Sequence, residues 1–72
     1  MSKADEMFEE LGYKKEERNS ADVYIKHCKY ITRQIGFNSE TKAVMIDVHY
    51  ITTQELQAIN EKVKELGWYE KM

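Results

Sequence analysis

The sequence predicts one small α+β domain over residues 1–72, ordered α-β-β-β-α, with two helices packed on one face of a three-stranded antiparallel meander. Three observations predict it. The segment "ITTQELQAINEKVKELGW" repeats apolar residues at helical spacing, and residues 22–50 switch to a two-residue period. "ELGY" near the start is echoed by "ELGW" near the end.

The first helix is expected over about residues 3–11. Ser2 stands three residues before Asp5, which approximates a capping pair, and Ala4, Met7, Phe8 and Leu11 form an apolar face. Asp5 and Glu6 suit the positive end of the helix dipole. A helix of about ten residues is marginal alone and needs tertiary contact. "KKEERNSAD" then reads as a polar loop.

Strands are expected over about 22–27, 30–37 and 42–50. Val44, Ile46 and Val48 alternate with Met45, Asp47 and His49, while Ile31, Ile35 and Phe37 alternate with Thr32, Gln34 and Gly36. "NSET" is the polar turn between them. Pairing Phe37 with Val44, Ile35 with Ile46, Arg33 with Val48 and Ile31 with Tyr50 brings both apolar sets to one face. Val23 and Ile25 join that face if the first hairpin loop holds an odd number of residues. A three-residue loop, His27-Cys28-Lys29, with Lys26 opposite Tyr30, meets that condition. The alternative is one long strand over 22–37, far beyond the usual five or six residues.

The second helix, about 53–66, is the most strongly written element. Thr52 and Glu55 have capping-box spacing, and Ile51 and Leu56 occupy the positions of a hydrophobic staple. Leu56, Ile59, Val63 and Leu66 then make one apolar stripe. Gly12 and Gly67 each read as the left-handed residue that ends a helix. The residues clasped across those ends are Phe8 with Tyr13, and Val63 with Trp68.

Composition narrows the function classes. A hydrophobic fraction of 42% with 33% charged residues suits a folded chain rather than a disordered one. One cysteine forms no internal disulfide, no Cys/His cluster has structural-zinc spacing, and no cofactor or metal is expected. The start "MSKADEMFEE" lacks an apolar leader region, and no apolar run approaches a membrane span. These features point to the cytoplasm and to no membrane partner. The net charge of −2 is spread evenly, and Lys14-Lys15 is followed at once by Glu16-Glu17. Clustered cations are what polyanions require, so nucleic acid is disfavoured as a partner.

The expected wet face of the sheet carries Tyr24, Tyr30, Met45 and His49, a protein-binding patch centred on tyrosines. Tyr24, Thr32 and His49 would form one cross-strand row there, with Gln34 beside Asp47. The bland alternative is that cross-strand tyrosines merely stabilise exposed strands. Arg33 shares parity with the core residues. It reads either as an edge residue extending its charge to water or as an ion pair with a helix carboxylate such as Glu55. His27, Cys28, Asp47 and His49 hold the ingredients of a thiol nucleophile or metal site, but adjacent His27 and Cys28 point to opposite faces of a strand. No phosphate loop, nucleophile elbow or HExxH motif appears, and the chain is expected not to be an enzyme.

"MFEELGYKK", the central "YIK…I…F…K" region and the closing "ITTQELQAINEKVKELGW" together resemble small phage- and prophage-encoded proteins of Gram-positive bacteria. The resemblance implies a small accessory protein of the host bacterial cytoplasm. It transfers no catalytic or binding residue, because that group has no established function. The expectation is a non-enzymatic module acting by protein–protein contact. The alternatives are a weak nucleic-acid binder using the open sheet face and a homo-oligomeric structural protein.

Overall fold

In the computed structural model, which describes residues 2–71, the chain runs α1 (Lys3–Glu10), β1 (Lys14–Arg18), β2 (Ala21–His27), β3 (Thr32–Asn38), β4 (Ala43–Asp47) and α2 (Thr53–Glu65). It closes with a 3-10 turn (Trp68–Lys71). The terminal residues of the expected domain, positions 1 and 72, lie outside the described residues.

The α+β class is as expected, but the sheet has four antiparallel strands in the order β1-β2-β3-β4 rather than three. The added strand is Lys-Lys-Glu-Glu-Arg, read from sequence as loop because none of the five is apolar, and all five are exposed. Pairing holds it in place: Glu16 lies opposite Val23 and Arg18 opposite Ala21. The two residues between the strands, Asn19 and Ser20, make the turn, with Asn19 at φ 47 in the left-handed region that Asn tolerates.

The β3–β4 register is the expected one from Phe37 opposite Val44 to Ile35 opposite Ile46. It stops at Gln34 opposite Asp47, so Arg33–Val48 and Ile31–Tyr50 are not ladder pairs. The Asn38 side chain accepts from the amides of Glu40 and Thr41, which folds the intervening loop.

The first hairpin corrects the sequence reading. His27 pairs with Thr32, and the loop is Cys28–Ile31, closed by the Cys28 amide donating to the Ile31 carbonyl at 2.8 Å. An even loop reverses the facing of β2. Tyr24 therefore stands opposite Ile35 and enters the core, whereas Val23 stands opposite Gly36 on the other face. The single long strand over 22–37 is likewise excluded by this turn.

Both helices pack on the Tyr24 face. Phe8, Tyr13, Tyr24, Ile35, Phe37, Ala58, Ile59 and Val63 form the buried cluster. Burying Phe8, Ile35 and Phe37 contributes about 1.5–3 kcal/mol each. Phe8 stacks on Tyr24 with ring centroids 4.1 Å apart, and Phe37 meets Tyr24 edge-on at 5.7 Å. Leu56, expected in the stripe of α2, is instead 58% exposed, and the buried face of that helix is Glu55, Ala58, Ile59, Lys62 and Val63. The face rotates because two charged residues find partners inside. Lys62 Nζ reaches Asp22 Oδ2 at 3.1 Å, and Glu55 meets Arg33.

The helix ends follow the sequence. Ser2 Oγ accepts from the Asp5 amide, and Thr52 with Glu55 completes a capping box. At α1 the Gly12 amide donates to Glu9 and the Tyr13 amide to Phe8, both at 3.0 Å, with Gly12 at φ 94. Those are the two bonds of a Schellman ending, and the Phe8 and Tyr13 rings close it edge-to-face at 5.6 Å. At α2 the Gly67 amide donates to Lys64, with Gly67 at φ 73.

Candidate contact surface

The four residues expected to share one surface are not brought together. Tyr24 is 1% exposed, with its hydroxyl donating to Asp5 Oδ1 in the first turn of α1. Its placement on a wet face is overturned by the loop parity described above. A tyrosine suits the interior here because its ring stacks on Phe8 while its polar tip meets a carboxylate. Tyr30 is 86% exposed, at the tip of the β2–β3 loop, with Lys29 Nζ 5.3 Å from its ring centre. Met45 is exposed on β4, on the sheet face opposite the helices. His49 is exposed beyond the end of β4, at the same end of the sheet as Tyr30. The expected row of Tyr24, Thr32 and His49 does not form, whereas Gln34 does lie beside Asp47.

Arg33 resolves to the sharper of its two readings. Its Nη2 lies 2.7 Å from Glu55 Oε1 and 3.0 Å from the Tyr50 carbonyl oxygen, and its Nε donates to the Tyr13 hydroxyl at 3.3 Å. Tyr13 in turn donates to Glu55 Oε2, and Glu55 Oε1 accepts from the Thr52 amide at 2.9 Å. One carboxylate thus caps α2, binds the β3 arginine and receives the Tyr13 hydroxyl. Burial alone raises the Glu55 carboxyl; the Thr52 amide, Tyr13 and Arg33 outweigh it and hold the group below its ordinary value. Burial, then the bond to Glu55, pushes the Tyr13 phenol up to about 12. Burial and the Asp5 carboxylate likewise push the Tyr24 phenol up. Asp5 itself is raised by burial but lowered more by Tyr24 and Lys15, and ends below its ordinary value.

These networks occupy the polar groups of the interior and brace the fold. Among the described residues, every buried side-chain nitrogen and oxygen has a hydrogen-bond partner. The thiol and imidazole candidates are peripheral: Cys28 is exposed in the β2–β3 loop, and His27 Nδ1 lies 3.4 Å from Thr32 Oγ1. No group of three or more His, Cys, Asp or Glu residues gathers at metal-binding distance among the described residues. No helix among them is long and apolar enough to cross a membrane.

Two concave regions flank the sheet. A cleft of about 370 Å³ between α1 and β1 is lined by Asp5, Glu9, Tyr13, Lys14, Lys15 and Tyr24. Two of its charged residues, Lys15 and Asp5, pair at 3.4 Å. A groove of about 200 Å³ on the opposite face runs across Val23, Gly36 and Met45. Gly36 leaves room there for the Met45 methyl, which lies 3.3 Å from where a Cβ would stand.

The surface that sequence reasoning missed is the free edge of β4. Met45 is 51% exposed on one side of this strand and Ile46 46% exposed on the other. Parity with Ile35 predicts that Ile46 lies on the core face. It does pair with Ile35, but the helices anchor over β1 to β3 through Asp5–Lys15, Lys62–Asp22 and Glu55–Arg33, leaving the outermost strand half-covered. The available signal was the unbroken apolar run Ala43-Val44-Met45-Ile46, which is apolar toward both faces. No protein-family model, curated protein or solved structure matches the chain.

Proposed function

We propose that this chain is a small, non-enzymatic protein-contact module of phage or prophage type, acting in the host bacterial cytoplasm and engaging its partner along the edge of β4. The observation that carries the reading is the contrast between the two edges of the sheet. β1 exposes two lysines, two glutamates and an arginine, charges that discourage another strand from adding. β4 exposes Met45 and Ile46, and among the described residues no strand pairs with its outer edge. Such an edge supplies main-chain hydrogen bonds for affinity and alternating side chains for specificity.

The nucleic-acid alternative has less support, because cations are tied to carboxylates: Lys15 to Asp5, Arg18 to Glu16, Arg33 to Glu55 and Lys62 to Asp22. The test is affinity capture from an induced lysogenic host with the wild-type chain, Ile46→Lys and a control at the opposite edge, Glu16→Lys. Capture retained by the control and lost with Ile46→Lys, both variants being folded, supports the β4 edge. Equal capture by all three removes it.

A further inference from the structure

The partner that β4 fits best is a second copy of the same strand. This inference rests on the contact reading above and names its occupant. We infer that two copies pair β4 against β4 in antiparallel fashion, about a two-fold axis perpendicular to the sheet, with Met45 on the axis.

The first argument is charge. Lys42 stands at the entry to β4 and Asp47 at its end, so the strand is positive at one end and negative at the other. Antiparallel pairing brings Lys42 to the end where the partner's Asp47 stands, one position apart along the strand and on the opposite face. Parallel pairing instead sets Lys42 beside Lys42 and Asp47 beside Asp47. The second argument is parity. A perpendicular two-fold axis keeps the helices of both copies on one side of the joined sheet, so residues of equal parity must face each other. With Met45 on the axis, Val44 lies opposite the partner's Ile46, and Ala43 lies opposite the partner's Asp47. On the helix side the half-covered Val44 and Ile46 then gain an apolar cross-strand neighbour. On the other side the two Met45 side chains meet beside the Gly36 groove, where a flexible thioether adapts readily.

The third argument is closure. The joined sheet would present β1 at both outer edges. Its five exposed charged residues end the sheet there, so the assembly stops at two copies instead of propagating. A head-to-tail stack of β4 on β1 would instead bury that charged edge against apolar residues.

Light scattering over a concentration series, on the wild-type chain and on Met45→Lys, tests the association. Wild type is expected to dimerise, and Met45→Lys, which opposes two ammonium groups across the axis, is expected to raise the dissociation constant at least tenfold. Circular dichroism establishes that the variant remains folded. Register is tested separately by oxidation in a Cys28→Ser background. Met45→Cys is expected to form a disulfide-linked dimer, because directly opposed antiparallel residues lie within disulfide range. Asp47→Cys is expected to form none, because it faces Ala43. Efficient cross-linking through Asp47→Cys but not Met45→Cys overturns the register. A wild-type chain that is monomeric at about 1 mM overturns self-pairing. If that monomer still captures a host protein and loses it with Ile46→Lys, only this inference falls. If capture is also indifferent to Ile46→Lys, the contact reading falls with it.

Discussion

Inside the core, Arg33 of β3 and Glu55 of α2 form an ion pair with Nη2 2.7 Å from Oε1, and both side chains are nearly excluded from water. The pair ties sheet to helix at the place where the β4–α2 connection returns over the sheet. Arg33 also donates to the Tyr50 carbonyl of that connection, and its guanidinium carbon lies 4.8 Å from the Tyr50 ring centre. Taking two charges out of water is expensive, and here a dense set of hydrogen bonds offsets the cost.

Removing one partner should therefore be far worse than removing both. Arg33→Met strands the Glu55 carboxylate with only Tyr13 and the Thr52 amide, and is expected to destabilise the fold by about 3–5 kcal/mol. Small domains have total stabilities of about 5–15 kcal/mol, so this variant should be largely unfolded on mild heating. Adding Glu55→Met to it should recover much of the loss, since an apolar pair of similar volume leaves no orphaned charge. Urea unfolding of both singles and the double provides the check. A double variant no more stable than Arg33→Met would show that the network's worth lies outside the pair.

The pH dependence follows from the same groups. In the folded chain the Asp5 and Glu55 carboxyls sit below their ordinary values of 3.8 and 4.5. As pH falls the unfolded chain binds those protons first, so their stabilisation is complete above about pH 5 and fades as the pH drops through the lowered values. At the other end the Tyr13 phenol is raised from 10.0 to about 12, and Tyr24 is raised too. Stability should hold below pH 10 and decline above it, as the unfolded phenols ionise while the folded ones stay protonated. Melting temperature against pH, with Tyr13→Phe as comparison, measures this. A Tyr13→Phe curve that declines as steeply as wild type above pH 10 would contradict the role given to Tyr13.

Much of this fold was legible where local chemistry is self-contained. The Ser2 and Thr52 caps, the Gly12 and Gly67 stops and the Phe37–Val44 register each depend on residues close in sequence or on a single parity. What was illegible depends on count and coverage. One residue more in the first hairpin loop turns Tyr24 inward, and nothing in "KHCKYI" fixes that count because no Gly or Asn marks the turn. β1 has no apolar residue to announce it, since its stability comes from backbone pairing with β2. The buried face of α2 rotated away from Leu56 because Glu55 and Lys62 found partners on other elements. The exposed edge at β4 was hidden because an apolar edge strand and an apolar central strand read alike.

Two glycines should respond in opposite senses to alanine. Gly12 holds φ 94, where a Cβ is strained whatever the space, so Gly12→Ala should cost about 1 kcal/mol. Gly36 sits within β3 in ordinary backbone, and an added methyl would find the Met45 methyl at 3.3 Å, Val23 Cγ2 at 3.7 Å and Met45 Cβ at 3.9 Å as its nearest neighbours. Met45 is exposed and flexible enough to swing aside, so Gly36→Ala should be neutral or stabilise by about 0.4–1 kcal/mol by restricting the unfolded chain. Thermal melts of both variants suffice. A clear loss from Gly36→Ala would mean that the Met45 side chain is held in place more firmly than its exposure implies.

Tyrosine substitutions separate the interior from the surface. Tyr24→Ala would empty a site packed by Phe8 and Phe37 and should destabilise by about 3–5 kcal/mol, the range for losing a large aromatic. Tyr24→Phe keeps the ring and removes only the bond to Asp5. Lys15 remains near that carboxylate at 3.4 Å, so the loss should be about 1 kcal/mol. Tyr30→Ala, at a loop tip, should leave the melting temperature nearly unchanged. The same Tyr30 variant is the proper surface probe of binding, because any binding defect in Tyr24→Ala would reflect an unfolded chain. Denaturant unfolding should rank the losses Tyr24→Ala, Tyr24→Phe, Tyr30→Ala. Equal stabilities for the two alanine variants would place Tyr24 outside the core and restore the odd-numbered hairpin.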